Sequence, residues 1–154
     1  MDEERLRELL AQLVAGGLSI DGAVEHLKDL PFEDLGFAKL DIHRELRRGF
    51  PEVIFGERKT PEQIVAIAER LHAHHDVVLA TRLAPVALDA LQQRFPAGEY
   101  HEAARMAALL RPGAPPLETR GDLVVASAGT ADQPVAEEAA LTATYMGNRV
   151  TRIY

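Results

Sequence analysis

The chain has no cysteine and no tryptophan. The first absence excludes disulfides, thiolate metal sites and a cysteine nucleophile within these 154 residues. Aromatic residues make up only 5%, too few for the stacking platforms that grip single-stranded nucleic acid. Positive charge is also short: 17 Lys and Arg face 24 Asp and Glu, a formal charge of −7. That balance argues against a dedicated nucleic-acid module but leaves room for a local anion site. Apolar runs last only a few residues, far below the roughly 18–20 a membrane span needs. The opening Met1-Asp-Glu-Glu-Arg5 is acidic and has no apolar signal-peptide core. The expectation is a cytoplasmic chain with neither membrane nor nucleic acid as a partner. What is present is a globular composition, 47% hydrophobic and 27% charged, at the length of one domain or a little more.

The residue pattern begins helically. Leu6, Leu9, Leu10, Leu13 and Val14 recur on one helical face, and Gly16-Gly17 stops it. Ser19 is an N-cap candidate for a second helix carrying Ile20, Val24 and Leu27, although Gly22 stands where a capping box wants Glu or Gln. Pro31 ends that helix. Lys39, Asp41 and His43 then alternate with Leu40 and Ile42, which predicts a short strand with the three polar residues on one face. Arg44, Arg47 and Arg48 follow. Val53-Ile54-Phe55 reads as a short buried strand closed by Gly56. Thr60-Pro61-Glu62-Gln63 is a strong helix start, with a cap, a proline at the first turn and a capping box. Its apolar stripe runs through Ile64, Ile67, Ala68 and Leu71 to about His75. Val77 to Ala80 is a strand, Ala84 to Phe95 a helix, and 101–110 is read as a strand.

Arg111-Pro-Gly-Ala-Pro-Pro116 is a linker by composition. The pattern therefore predicts an α+β N-terminal domain over 1–110, a linker over 111–120, and a further unit over 121–154. In that last stretch a strand at 122–127, a helix from about Gln133 to Met146 and a strand at 149–154 form a βαβ unit. This is the opening of a doubly wound α/β sheet. A parallel sheet needs crossover helices on both faces. The expectation is thus that 121–154 begins a larger domain, in a chain that is a fragment or whose sheet is completed by another chain.

Two groups of residues carry candidate chemistry. Ser127-Ala-Gly-Thr-Ala-Asp132 joins a strand's carboxyl end to a helix N-terminus, where anions, commonly phosphates, bind. Gly129 permits close backbone approach, and Ser127 and Thr130 supply hydroxyls. Asp132 either orients a ribose hydroxyl, binds a metal or moves a proton, or only caps the helix. The spacing matches neither a dinucleotide fingerprint nor a phosphate-binding P-loop. The second group is Lys39, Asp41, His43 and Arg44, which suits a charged ligand or a solvated ion-paired face. Arg82, just past a strand end, either touches a phosphate or leads into a helix. His72, His74 and His75 do not share a helical face well, so a solvated cluster at a helix end is favoured over a metal site.

Several stretches resemble the LarB family of nickel-pincer cofactor biosynthesis proteins. They are LGFAKLDIHRELRRGFPEVIFG from Leu35 to Gly56 with KTPEQ from Lys59 to Gln63, then SAGTAD from Ser127 to Asp132 with PVAEEA from Pro134 to Ala139, and last GNRVTRIY from Gly147 to Tyr154. The resemblance covers most of the chain. It implies carboxylation of the pyridinium ring of nicotinic acid adenine dinucleotide at C5, with hydrolysis of the phosphoanhydride. The products would be pyridinium-3,5-biscarboxylic acid mononucleotide and AMP. It implies CO₂ or bicarbonate as co-substrate, Mg²⁺, and a homo-oligomer, an octamer in the related phosphoribosylaminoimidazole carboxylases. It also implies Ser127, Gly129, Thr130 and Asp132 as part of the nucleotide site. Ala131 stands where those carboxylases have a serine before the aspartate. The family's nucleophilic cysteine has no counterpart here, so this chain is expected not to carboxylate alone. The rival readings are a purine-pathway carboxylase and a non-catalytic binding or assembly module.

Overall fold

The computed structural model describes residues 3–27, 33–42, 44, 50, 52–114 and 116–154. Contacts divide the chain into two compact units, 1–50 and 51–154. Among the described residues the architecture is mixed α/β, with five helices and three small sheets.

The first unit holds α1 (Glu3–Val14), α2 (Ile20–Leu27), β1 (Glu33–Asp34) and β2 (Lys39–Leu40). The expected helix pair is present. Ser19 Oγ accepts from Gly22 N–H at 3.0 Å, which supplies the cap read from the sequence. Leu9 and Ala23 are buried. The expected polar-faced strand over 39–43 is not. β2 is two residues long and pairs antiparallel with β1 only through Glu33–Leu40 and Asp34–Lys39. The chain then turns, with Arg44 N–H donating to the Asp41 carbonyl at 3.2 Å. Alternation fails there: Lys39 is exposed, while Leu40 and Asp41 are both buried. A strand's faces hold only while a ladder holds its register, and this ladder ends at Leu40.

The second unit is built on a four-stranded sheet of β3 (Val53–Phe55), β4 (Val77–Thr81), β5 (Glu99–His101) and β6 (Met106–Leu110), in the order β3-β4-β6-β5. β3 and β4 run parallel, with Phe55 opposite Thr81. β6 runs antiparallel to β4, with Ala80 opposite Ala107, and pairs with β5 as a hairpin. The predicted strand at 101–110 is therefore real but is two strands with a turn between them. β4 is buried at every position, as a strand covered on both faces must be. The helices α3 (Pro61–His72) and α4 (Pro85–Arg94) pack together against this sheet and insert Ile64, Leu71 and Leu91, all fully buried.

The Pro-rich segment leads from β6 to β7 (Gly121–Ala126), then α5 (Gln133–Tyr145) and β8 (Asn148–Ile153). β7 and β8 pair parallel through all six positions, which is the expected βαβ unit. Gly147, at φ +87°, turns α5 into β8; a Cβ there would clash with the Glu118 carbonyl. The compact-unit boundary lies at 50/51 rather than in the expected linker. The reason is α5: its Leu141 and Tyr145 pack on Val77, Leu79, Met106 and Ala108 of the four-stranded sheet. One apolar core spans the proline segment.

Candidate functional site

The β7–α5 loop extends the parallel ladder by one bond, Ser127 N–H to the Ile153 carbonyl at 2.9 Å. It then folds into a turn closed by Asp132 N–H to the Gly129 carbonyl at 3.0 Å. Ser127 Oγ is shielded from solvent and has no hydrogen-bond partner. A desolvated hydroxyl without a partner is costly. Asp132 sits at the N-cap of α5, but its carboxylate makes no cap hydrogen bond. Only its carbonyl serves the helix, accepting from Val135 and Ala136. The simple capping role is thus removed, and the carboxylate is exposed. Gly129 is not at positive φ; a Cβ there would lie 3.3 Å from Asp132 Oδ2. Thr130 is exposed beside it. A Ser hydroxyl, a Thr hydroxyl and a carboxylate at an uncapped helix start can bind an anion and orient a hydroxyl of the same ligand.

Arg82 lies in the β4–α4 connection. Its Nε is 2.7 Å from Glu138 Oε2 on α5. That buried Nε has no aligned hydrogen-bond acceptor, so the contact is charge pairing without a directed bond. The structure therefore brings Arg82 to the helix that follows the loop, although the two are far apart in sequence. Along the same helix runs a largely apolar groove lined by Leu123, Val135, Glu138, Thr142 and Met146.

Lys39, Asp41 and Arg44 belong to the first unit. Lys39 is exposed and Asp41 buried, so these two do not form one polar face. Arg44 lies over the Phe50 ring at 5.4 Å, and its buried Nε has no hydrogen-bond partner. His43 lies outside the described residues.

The histidines at the end of α3 are not a solvated cluster. His75 is buried, and His72 meets Phe95 edge-on at 5.3 Å. Burial, and then the charge of Arg111, hold His72 below its ordinary pKa. Sequence reasoning missed a linked trio. Tyr145 Oη donates to Glu99 Oε2 at 2.6 Å and lies 2.9 Å from His101 Nε2. The phenol's single proton goes to Glu99, so His101 is the donor in the second bond. Burial first, and the Glu99 carboxylate next, push the Tyr145 pKa far upward. Glu99 and His101 share a strand face at spacing two, which was legible; Tyr145 comes from 44 residues away.

A family model described as the LarB/PurE-like N-terminal domain matches residues 32–111, just over half of the chain. The chain belongs to the LarB family. The resemblance on Leu35–Gly56 and Lys59–Gln63 is borne out, since both stretches fall inside the match. The chain is also 28% identical over 156 residues to the uncharacterized protein MJ0165 of Methanocaldococcus jannaschii. That alignment takes in 98% of this chain and 61% of the relative, so the LarB-family chain spans about three-fifths of that protein's length. No helix among the described residues is long and apolar enough to cross a membrane.

Proposed function

We propose that this chain is part of an enzyme that carboxylates the pyridinium ring of nicotinic acid adenine dinucleotide at C5 and hydrolyses its phosphoanhydride. The products are pyridinium-3,5-biscarboxylic acid mononucleotide and AMP. The match of the LarB/PurE-like N-terminal domain over 32–111 carries this reading. In it, β7–α5–β8 opens a doubly wound carboxylase-like sheet. The loop from Ser127 to Asp132 receives a phosphate of the dinucleotide, with the unpartnered Ser127 Oγ as a donor and the Asp132 carboxylate facing a hydroxyl or proton. Lys39, Asp41, His43, Arg44 and Arg82 are proposed to contact substrate.

A pyridinium ring is too electron-poor to attack CO₂. A nucleophile must first add to the ring and make one carbon enamine-like. No cysteine is present to do this, so the nucleophile comes from outside these residues. CO₂ or bicarbonate is the co-substrate. Among the described residues no three His, Asp or Glu side chains gather to hold a metal. Mg²⁺ therefore enters this reading as an ion that arrives on substrate phosphates, and no step is assigned through it. The enzyme is proposed to act in the cytoplasm as a homo-oligomer, an octamer by likeness to the phosphoribosylaminoimidazole carboxylases.

The test is incubation with nicotinic acid adenine dinucleotide, bicarbonate and Mg²⁺, with products followed by mass spectrometry. The 154-residue chain is expected to bind the dinucleotide without releasing AMP. A longer form of the protein that carries a cysteine is expected to release AMP and the biscarboxylated mononucleotide together. Preference of that form for an aminoimidazole ribonucleotide would replace this reading with the purine-pathway one. The missing cysteine gives the binding-module reading its own support: binding with no turnover in any form of the protein would establish it.

A further inference from the structure

Four large apolar side chains of the first unit stand in water together. Val14 is 88% exposed, Ile20 73%, Leu10 46% and Val24 37%. All four belong to the helical hairpin of α1 and α2, which precedes residue 32, where the family domain begins. The proposed reaction makes no use of them.

The four form one face. Residues 15–19 join the helices, with Gly16 at φ +73° in the turn, and helices linked so tightly run antiparallel. The two helices pack on each other, and Leu9 and Ala23 are their buried positions. One step along a helix rotates the side chain by about 100°, which leads from Leu9 to Leu10 and from Ala23 to Val24. In antiparallel helices those rotations have opposite sense, so Leu10 and Val24 turn to the same side of the hairpin. Val14 and Ile20 follow them at spacing four, beside the connecting turn.

The charges around this face argue against a lipid surface. Helices that lie on membranes carry Lys and Arg on their polar side, whereas α1 and α2 hold five Asp and Glu against two Arg. The face is instead complementary to itself. A two-fold axis along the hairpin lays α1 of one copy on α2 of the other. Val14 then meets Ile20, and Leu10 meets Val24, at matching distances from the turn. The outer edge of α1 carries the exposed Arg7, and the outer edge of α2 carries the exposed Asp21 and Glu25. The same pairing sets these opposite charges along one rim.

The area also fits a pair. Four side chains at these exposures present on the order of 400 Å² of apolar surface, the scale of a functional patch. Two such faces with their rims would remove roughly 1,000 Å² from water, the lower bound of a specific interface.

We propose that the face of Leu10, Val14, Ile20 and Val24 is an interface between two copies of this chain, with α1 of each copy packed on α2 of the other. The contact is a weak dimer that depends on concentration. It is independent of the proposed reaction and of the 127–132 loop.

The test is sedimentation velocity of the 154-residue chain from low micromolar to millimolar concentration, beside the Val14→Glu/Ile20→Glu double variant and Val124→Glu. Val124, on β7, is 61% exposed and controls for loss of an exposed apolar side chain elsewhere. Wild type is expected to move from monomer to dimer as concentration rises. The double variant is expected to raise the dissociation constant at least tenfold, because two carboxylates would enter an apolar contact; Val124→Glu is expected to leave it unchanged. Val14 and Ile20 are exposed in the single copy, so the dilute double variant is expected to melt with dilute wild type in circular dichroism. The chain has no cysteine, so a mixture of Val14→Cys and Ile20→Cys chains reports the pairing directly. Mild oxidation is expected to form the mixed disulfide several-fold faster than it joins Val124→Cys chains. A monomer at every concentration, a dissociation constant unchanged in the double variant, a mixed disulfide no faster than the control, or a monomer that binds anionic vesicles through this face would overturn the proposal.

Discussion

Gly56 ends β3 where two segments of the chain approach closely. A Cβ there would lie 2.8 Å from Leu83 Cδ2 and 3.0 Å from the Thr81 carbonyl. Gly56→Ala is expected to destabilise the chain by about 1–3 kcal/mol, read by urea unfolding. His72 makes a prediction in pH. Its folded pKa lies below the ordinary value because burial disfavours the imidazolium. The unfolded chain therefore takes up this proton first as pH falls below about 6.5. Stability should be complete above that value and decline on acidification toward the folded pKa. In His72→Gln, a plot of unfolding free energy against pH from 7 to 5 should be flatter than in wild type; an unchanged slope would remove His72 as its source. At this scale the sequence was informative about Gly56 as a strand end, but not about His72, whose partner Phe95 is brought in by the packing of α4 on α3.

The start of α3 shows how far a local signal reaches. Thr60 Oγ1 accepts from Gln63 N–H at 3.3 Å, and Gln63 Oε1 accepts from Thr60 N–H at 3.0 Å, the reciprocal box read from four residues. Thr60→Ala is expected to cost about 1 kcal/mol, and Thr60→Ser much less. Circular dichroism during denaturant unfolding checks both. Strands were less legible. The 39–43 alternation was a real pattern, yet only Lys39 and Leu40 found a partner strand. Residues 101–110 contained strand-forming residues without showing that a turn at 102–105 folds them back on 99–101. A helix closes its own hydrogen bonds, whereas a strand depends on a neighbour that sequence periodicity does not identify.

At the scale of the molecule, Tyr145 links α5 to the hairpin strand β5 through Glu99 and His101. Tyr145→Phe keeps the ring in the core and removes both hydrogen bonds. It is expected to cost about 1 kcal/mol or somewhat more, because Glu99 and His101 lose a partner. A double-mutant cycle with Glu99→Gln checks this: near-additive effects would show that the two groups do not act together. This link, and the packing of Leu141 on the four-stranded sheet, make α5 part of the core of residues 51–154. The prolines at 112, 115 and 116 looked like a domain boundary because prolines break helices and strands. They do not prevent an apolar helix beyond them from returning to the same sheet.

The sequence by itself determined what short-range chemistry controls: the helix starts and stops, the β7–α5–β8 order, the absence of a thiol nucleophile and the stretches shared with the LarB family. Tertiary structure alone decided that Asp41 is buried beside an exposed Lys39 and that the Asp132 carboxylate leaves its helix uncapped. Those facts depend on strand register and backbone conformation at turns. Both are set by contacts between segments distant in sequence, which no local pattern of residues contains.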